Sequence, residues 1–152
     1  MADGPHLADT NILLRLLQPR DPDYPVVRRA LEELRSRGAW LCFTPQNLAE
    51  FWSVCTRPVD RNGFGLSVSE TDRRARLIES AFVLLPDNDQ IYLWWRRLVV
   101  EHGVTGVQVH DARLVAAMIT HGISTLITLN DRDLTRYPQV TALHPGQLVG
   151  SR

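Results

Sequence analysis

Lysine is missing from this sequence: all 17 basic residues are arginine, and 17 acidic residues balance them to a formal net charge of zero. A chain without net positive charge is not expected to hold nucleic acid through a global electrostatic field. Arginine nevertheless suits phosphate better than lysine does, because its planar guanidinium donates two parallel hydrogen bonds. A local arginine rim around a smaller site therefore remains open, although codon bias in the source genome would also produce a lysine-free chain.

Long apolar runs and cysteines at metal-ligand spacing are also missing, and we expect no secretory signal. No apolar stretch approaches the ~20 residues that cross a membrane, and the first residues, MADGPH, have neither the basic nor the apolar region of a signal peptide. The two cysteines, Cys42 and Cys55, lack metal-ligand spacing and are interpreted as small buried hydrophobic residues. We expect a single domain over residues 1–152, without membrane contact and located in the cytoplasm.

Short apolar segments alternate along the chain with segments of helical period. We predict strands at residues 6–8, 40–43, 82–85, 125–128 and 141–143. We predict helices at residues 10–17, 23–36, 45–55, 67–81, 89–102 and 111–121. The segment 57–66 contains proline and glycine, has no period and is predicted to be a loop. This alternation is typical of βα units that build a parallel sheet in an α/β fold.

Four acidic residues lie where apolar runs stop: Asp9, Glu50, Asp111 and Asp133. Because the carboxyl ends of parallel strands open onto one crevice, acids at several strand ends can meet there. Gathered carboxylates repel each other unless they share protons or hold a cation, and Mg²⁺ or Mn²⁺ suits an all-oxygen set. The pattern indicates metal-assisted phosphodiester chemistry. Taken singly, the three aspartates would also serve as helix caps or turn residues, and Glu50 as a solvated helix residue.

Each acid lies in a recognisable string: LADTNIL contains Asp9, NLAEF contains Glu50, HDARLVAA contains Asp111, and TLNDRDL contains Asp133. In this order the strings resemble the PIN-domain ribonucleases, most closely the VapC-type toxins of bacterial and archaeal toxin–antitoxin pairs. The resemblance extends from residue 7 to about residue 148. It implies a three-layer α/β/α sandwich with a central, mainly parallel sheet. It also implies a metal-dependent endoribonuclease that cleaves single-stranded RNA as the toxin of a type II module.

By motif position, the resemblance implies that Asp9, Asp111 and Asp133 are direct or water-mediated ligands of Mg²⁺ or Mn²⁺. Glu50 would ligate a second ion or orient the attacking water, and Thr10 would orient a carboxylate or a water on the metal. A bound metal would lower the pKa of water and offset charge on the phosphate, so no serine or cysteine nucleophile is required.

The last string departs from the usual family pattern. Leu134 stands where phenylalanine is more common, and Asp131 adds an acid between Asn130 and Asp133. Asn130 occupies the polar position three residues before the last acid, as Asn or Asp does in related domains. We favour Asp133 over Asp131 as the acid that faces the metal.

The resemblance further implies an RNA substrate, a small antitoxin protein that places Arg or Lys among the acids, and a homodimer. An apolar helix face with Val26, Ala30 and Leu34 could supply part of the dimer surface. The candidates for RNA phosphate contacts are the arginines close in sequence to the acidic strings: Arg57, Arg61, Arg113 and Arg132.

Other functions remain open at this point. The same fold could serve as an RNA-processing nuclease, or as a non-catalytic RNA-binding or protein-binding module, with no toxin role. A phosphohydrolase of the haloacid dehalogenase type is disfavoured, because Asn11 stands where a second aspartate is expected and no lysine is present.

Overall fold

Five short strands form the centre of the molecule: β1 (Pro5–Ala8), β2 (Trp40–Phe43), β3 (Val83–Leu84), β4 (Thr125–Ile127) and β5 (Thr141–Leu143). The computed structural model describes residues 3–149 of the chain. Neighbouring strands all run parallel, in the order β3, β2, β1, β4, β5. Every predicted strand is confirmed, with ends that differ by one residue at most.

In the described part of the chain, seven helices surround the sheet: α1 (Thr10–Leu16), α2 (Tyr24–Ser36), α3 (Pro45–Thr56), α4 (Val68–Ala81), α5 (Asp89–Glu101), α6 (Gln108–His121) and α7 (Pro145–Val149). The first six were predicted from their apolar period, whereas α7 has five residues and is too short to show one. None of the helices within residues 3–149 has the length and apolar character needed to cross a membrane.

The helices cover both faces of the sheet. Because side chains alternate along a strand, Leu7 and Cys42 pack with α5 and α6, whereas Ala8 and Phe43 pack with α1, α2, α3 and α4. All four side chains are buried. The prediction of a three-layer α/β/α sandwich is thereby confirmed, and the sheet is parallel throughout.

The order of the strands creates a crevice beside β1. The chain leaves β1 towards β2 and β3 on one side, then returns to β4 and β5 on the other side. Leu7 of β1 pairs with Cys42 of β2 and with Leu126 of β4. In open α/β sheets, ligands bind outside the carboxyl ends of the strands at this kind of switch point. The crevice therefore lies beyond the ends of β1 and β4.

One expectation about the surface of the molecule needs correction, and one is confirmed with added detail. The face of α2 suggested for dimer contact is turned inward, since Ala30 is 0% exposed and Leu34 is 1% exposed within the core. The segment 57–66 is irregular as predicted, but it contains a 3₁₀ turn at Val59–Arg61. Backbone hydrogen bonds also tie it to the end of α3, including one of 2.8 Å from the Leu66 N–H to the Cys55 carbonyl.

Candidate active site

Asp9 lies at the junction between β1 and α1. It is the N-cap residue of α1, and its Oδ1 accepts a hydrogen bond of 2.7 Å from the Thr10 backbone N–H. The Thr128 hydroxyl donates to Oδ2 at 2.8 Å, and the Asn11 amide donates to that hydroxyl at 3.2 Å. Burial raises the pKa of Asp9, these hydrogen bonds lower it, and the negative charge of Asp133 raises it further. Asp9 is thus both a helix cap and a desolvated carboxylate close to another acid.

Thr10 touches Asp9 through its backbone, and its side chain has a different partner. The Thr10 hydroxyl accepts a hydrogen bond of 3.2 Å from the amide of Asn47, which is 0% exposed. The Asn47 oxygen accepts from the backbone N–H of Thr44, so the first turn of α3 is joined to the start of α1. Sequence reasoning assigned no role to Asn47, although its place three residues after Thr44 is a capping-box signal.

Thr128 was also missed as a site residue. It follows β4, its side chain is buried, and its hydroxyl accepts a hydrogen bond of 3.0 Å from the Asn130 backbone N–H while donating to Asp9. A threonine at the carboxyl end of a central strand was the available signal. Asn130 contacts Thr128 through its backbone N–H, and the residue is exposed.

Asp111 lies on a helix, as predicted, but the helix begins within the segment Val107–His110 and not at Asp111 itself. That segment enters α6, which begins at Gln108, so Asp111 occupies its first helical turn. Burial raises the pKa of Asp111 to about 6, and the negative charges of Asp9, Asp133 and Glu50 add to the rise. Asp111 is therefore the carboxylate on which the other three predicted acids act together.

Glu50 lies on α3 at the rim of the crevice. Its side chain is exposed as a whole, and its Oε1 accepts a hydrogen bond of 3.0 Å from the Gln46 amide. Desolvation of the carboxylate raises the pKa of Glu50, the Gln46 hydrogen bond lowers it, and the negative charge of Asp9 raises it. As predicted, Glu50 approaches the other acids from a helix.

Asp133 lies in a 3₁₀ turn at Asp131–Leu134, just after β4. Its negative charge contributes to the raised pKa of both Asp9 and Asp111, whereas Asp131 contributes to neither. This arrangement favours Asp133 as the acid on the crevice side. The structure thus brings Asp9, Glu50, Asp111 and Asp133 within electrostatic reach of one another.

The four acids supply only oxygen ligands and do not form a closed cage. Within residues 3–149, no three Asp, Glu, His or Cys side chains are close enough to form a ready-made metal site. Mg²⁺ retains several of its waters and is usually held by one or two carboxylates, so this all-oxygen set fits such an ion. Direct ligation by Asp9, Asp111 and Asp133 together stays a prediction.

The candidate arginines have varied surroundings. Arg113 donates to the Gln46 side-chain oxygen at 3.1 Å and forms an ion pair of 3.3 Å with Asp87, so protein groups already hold it. Arg57 donates to the Asn62 carbonyl at 3.2 Å, whereas Arg61 and Arg132 are exposed. Across residues 3–149, no ion pair involves any of the four acids of the crevice.

The fold and the acids at its switch point are features of a known protein family. The family model of the PIN domain matches residues 7–140, which is most of the chain, so the protein belongs to the PIN-domain family. In a comparison with curated protein sequences, none matches this chain.

Solved toxin–antitoxin structures are similar to the chain in fold. VapBC2 from Rickettsia felis, bound to a DNA fragment from its promoter, aligns with a TM-score of 0.67 at 16% identity, covering 92% of this chain and 98% of that one. VapBC-1 from nontypeable Haemophilus influenzae aligns at 0.66 and 19% identity, covering 93% and 98%. Mycobacterium tuberculosis VapC20, a sarcin-ricin loop cleaving toxin, aligns at 0.64 and 17% identity, covering 89% and 98%.

Proposed function

We propose that this PIN domain is a metal-dependent endoribonuclease that cleaves single-stranded RNA as the toxin of a type II toxin–antitoxin module. One observation carries the proposal: four carboxylates act on one another at the switch point of the sheet, and within residues 3–149 no arginine forms an ion pair with them. Neighbouring carboxylates repel one another, and a bound cation would relieve that repulsion. The similarity in fold to VapC structures supports the same activity.

The side chains of the crevice divide the work of such a reaction. Asp9, Asp111 and Asp133 would hold Mg²⁺ or Mn²⁺, in part through water. When bound, the ion supplies Lewis-acid chemistry, lowering the pKa of water and offsetting charge on the phosphate. Thr128 and the Thr10 backbone keep the Asp9 carboxylate oriented. Glu50, at the rim, would accept a hydrogen bond or proton from the attacking water.

The negative charge of the crevice favours a partner with a basic segment. A small antitoxin that inserts Arg or Lys among the acids would replace the cation electrostatically, and one structure of similar fold is a toxin–antitoxin complex from Klebsiella pneumoniae. Arg57 and Arg61, on the segment beside the end of α3, are proposed to contact RNA phosphates. We further propose a cytoplasmic homodimer, with a surface other than the inward face of α2.

Cleavage assays with and without metal test the activity. Purified protein should cut single-stranded RNA with Mg²⁺ or Mn²⁺, stop in EDTA, and recover when metal is returned. Asp9→Asn should remain folded and lose cleavage, because the substitution removes charge without opening a cavity. Cleavage that persists in EDTA and in this variant would refute the metal mechanism.

The toxin role is tested separately from the chemistry. Expression of the protein should arrest growth of its host, and co-expression of a small DNA-binding protein encoded beside its gene should relieve the arrest. RNA cleavage without growth arrest or a neighbouring inhibitor would favour a role in RNA processing.

A further inference from the structure

Gln46 lies at the centre of a hydrogen-bonded chain that joins α3 to α6 beside the crevice. Its side-chain Nε2 donates to Glu50 Oε1 at 3.0 Å and to the backbone carbonyl of His110 at 2.8 Å. Its Oε1 accepts from Arg113 Nη1 at 3.1 Å. Both ends of one amide are thus engaged, and the partners come from two helices that carry acids of the site.

The surroundings of this amide define its orientation. A carboxylate and a carbonyl can only accept hydrogen bonds, whereas a guanidinium can only donate them. Turning the Gln46 amide by half a rotation would therefore place oxygen against two acceptors and NH₂ against a donor. Arg113 is in turn held by Asp87, through an Nη2–Oδ1 distance of 3.3 Å.

The hydrogen bond from Gln46 restrains the side chain of Glu50. It is an exposed side chain, and holding a long side chain in one rotamer costs conformational entropy. An arginine bonded directly to Glu50 would orient it but would also cancel its charge. A neutral amide supplies the orientation while the carboxylate keeps its charge, and the hydrogen bond of Arg113 goes to Gln46 and not to Glu50.

We propose that Gln46 is a positioning residue that holds the Glu50 carboxylate at the crevice, with Arg113 and Asp87 fixing the orientation of its amide. The kinetic part of this proposal rests on the proposed nuclease function. The position of Glu50 does not depend on that function and can be measured independently.

Kinetics of Gln46→Met test the functional part, since methionine has similar length and forms no comparable hydrogen bonds. We expect kcat for metal-dependent RNA cleavage to fall about tenfold, with KM within about twofold, because a misplaced reacting group slows the chemical step. Gln90→Met is the matched control: Gln90 also lies in the first turn of a helix, α5, and is exposed. This control should cleave as the wild type does.

A double-variant cycle distinguishes positioning from simple stabilisation. If Gln46 acts through Glu50, Gln46→Met should cause no further loss of kcat in a Glu50→Gln background. Additive losses in the double variant would overturn the proposal, because they would show that Gln46 acts by another route.

Crystal structures of the wild type and Gln46→Met provide a readout without activity. We expect the Glu50 carboxylate to leave its wild-type position or lose density in the variant, while Gln90→Met leaves it in place. An unmoved Glu50 carboxylate in Gln46→Met would overturn the proposal. Wild-type protein that cleaves no RNA would count against the nuclease function alone, and the position of Glu50 would then decide the role of Gln46.

Discussion

Two acids of this protein lie in the first turns of their helices and have opposite surroundings. Glu70 lies in the first turn of α4, and Asp111 lies in the first turn of α6. Arg73 and Arg74 donate to Glu70 at distances of 2.7 to 3.1 Å, and these hydrogen bonds lower its pKa to about 2. Burial and neighbouring acids raise the pKa of Asp111 to about 6.

Helical spacing explains why Glu70 is paired with arginine and Asp111 is not, while burial accounts for most of the rise in the pKa of Asp111. Residues three and four positions apart face each other on a helix, whereas residues two positions apart do not. Arg73 and Arg74 are three and four residues after Glu70, but Arg113 is two residues after Asp111 and pairs with Asp87. The overall charge is zero, yet the arginines are distributed so that the crevice acids have no ion pair within residues 3–149.

Removing the charge of each acid should give the largest contrast. Asp111→Asn is expected to lower kcat/KM for RNA cleavage about 100-fold or more, because a proposed ligand of the metal loses its charge. Glu70→Gln removes an acid that is already neutralised by arginine, so cleavage should be unchanged. Rates on one RNA at saturating Mn²⁺ would measure both. Equal activity of the two variants would show that the charge of Asp111 has no part in the reaction.

The two aspartates after β4 give a second, smaller contrast. Asp133 acts on Asp9 and Asp111, whereas Asp131 does not, although both lie in the same 3₁₀ turn. We expect Asp133→Asn to lower the rate about tenfold and Asp131→Asn to leave it close to wild type. Single-turnover rates compare them under one condition. A larger loss in Asp131→Asn than in Asp133→Asn would show that Asp131, and not Asp133, faces the crevice.

Much of this site could be predicted from local sequence. The acids after β1 and β4 follow short apolar strands, and parallel pairing of those strands determines that they meet. Glu50 lies in a helix whose opposite face is apolar, so its place on the outward side was readable from the period. These features depend on residues close together in the chain.

The start of α6 could not be predicted in the same way. Its first residues, Gln108–His110, alternate with apolar neighbours as a strand does, and tertiary contacts decide for the helix. Trp95 on α5 donates a hydrogen bond of 2.9 Å to the Val109 carbonyl, which depends on how α5 packs against α6. The Arg113 bond to Gln46 spans 67 positions, and no local pattern indicates it.

Placing an arginine one helical turn from Glu50 should weaken metal binding a few-fold. Ser53 is exposed and lies three residues after Glu50 on α3, the spacing at which Arg73 meets Glu70. Ser53→Arg is expected to raise the Mn²⁺ concentration needed for half-maximal cleavage about threefold, since a cation near the rim opposes metal binding. Ser53→Gln, of similar length without charge, is the control. A similar loss in Ser53→Gln would assign the effect to bulk.

The smallest expected effect is on the pH dependence of stability without metal. Asp111 has a pKa of about 6 in the folded protein against an ordinary 3.8, and burial also raises the pKa of Asp9 and Glu50. Stability from a raised acid pKa is present below the ordinary value and is lost as pH rises through the folded value. Glu70 behaves oppositely, losing its contribution only as pH falls from 4.5 towards about 2.

Between about pH 7 and pH 5 the crevice acids dominate among these groups, so the Tm of metal-free protein should rise as pH falls. The rise should be smaller in Asp111→Asn and in millimolar Mn²⁺, as calorimetry would measure. A Tm that falls over this range, or is unchanged by Mn²⁺, would contradict a preformed acidic site.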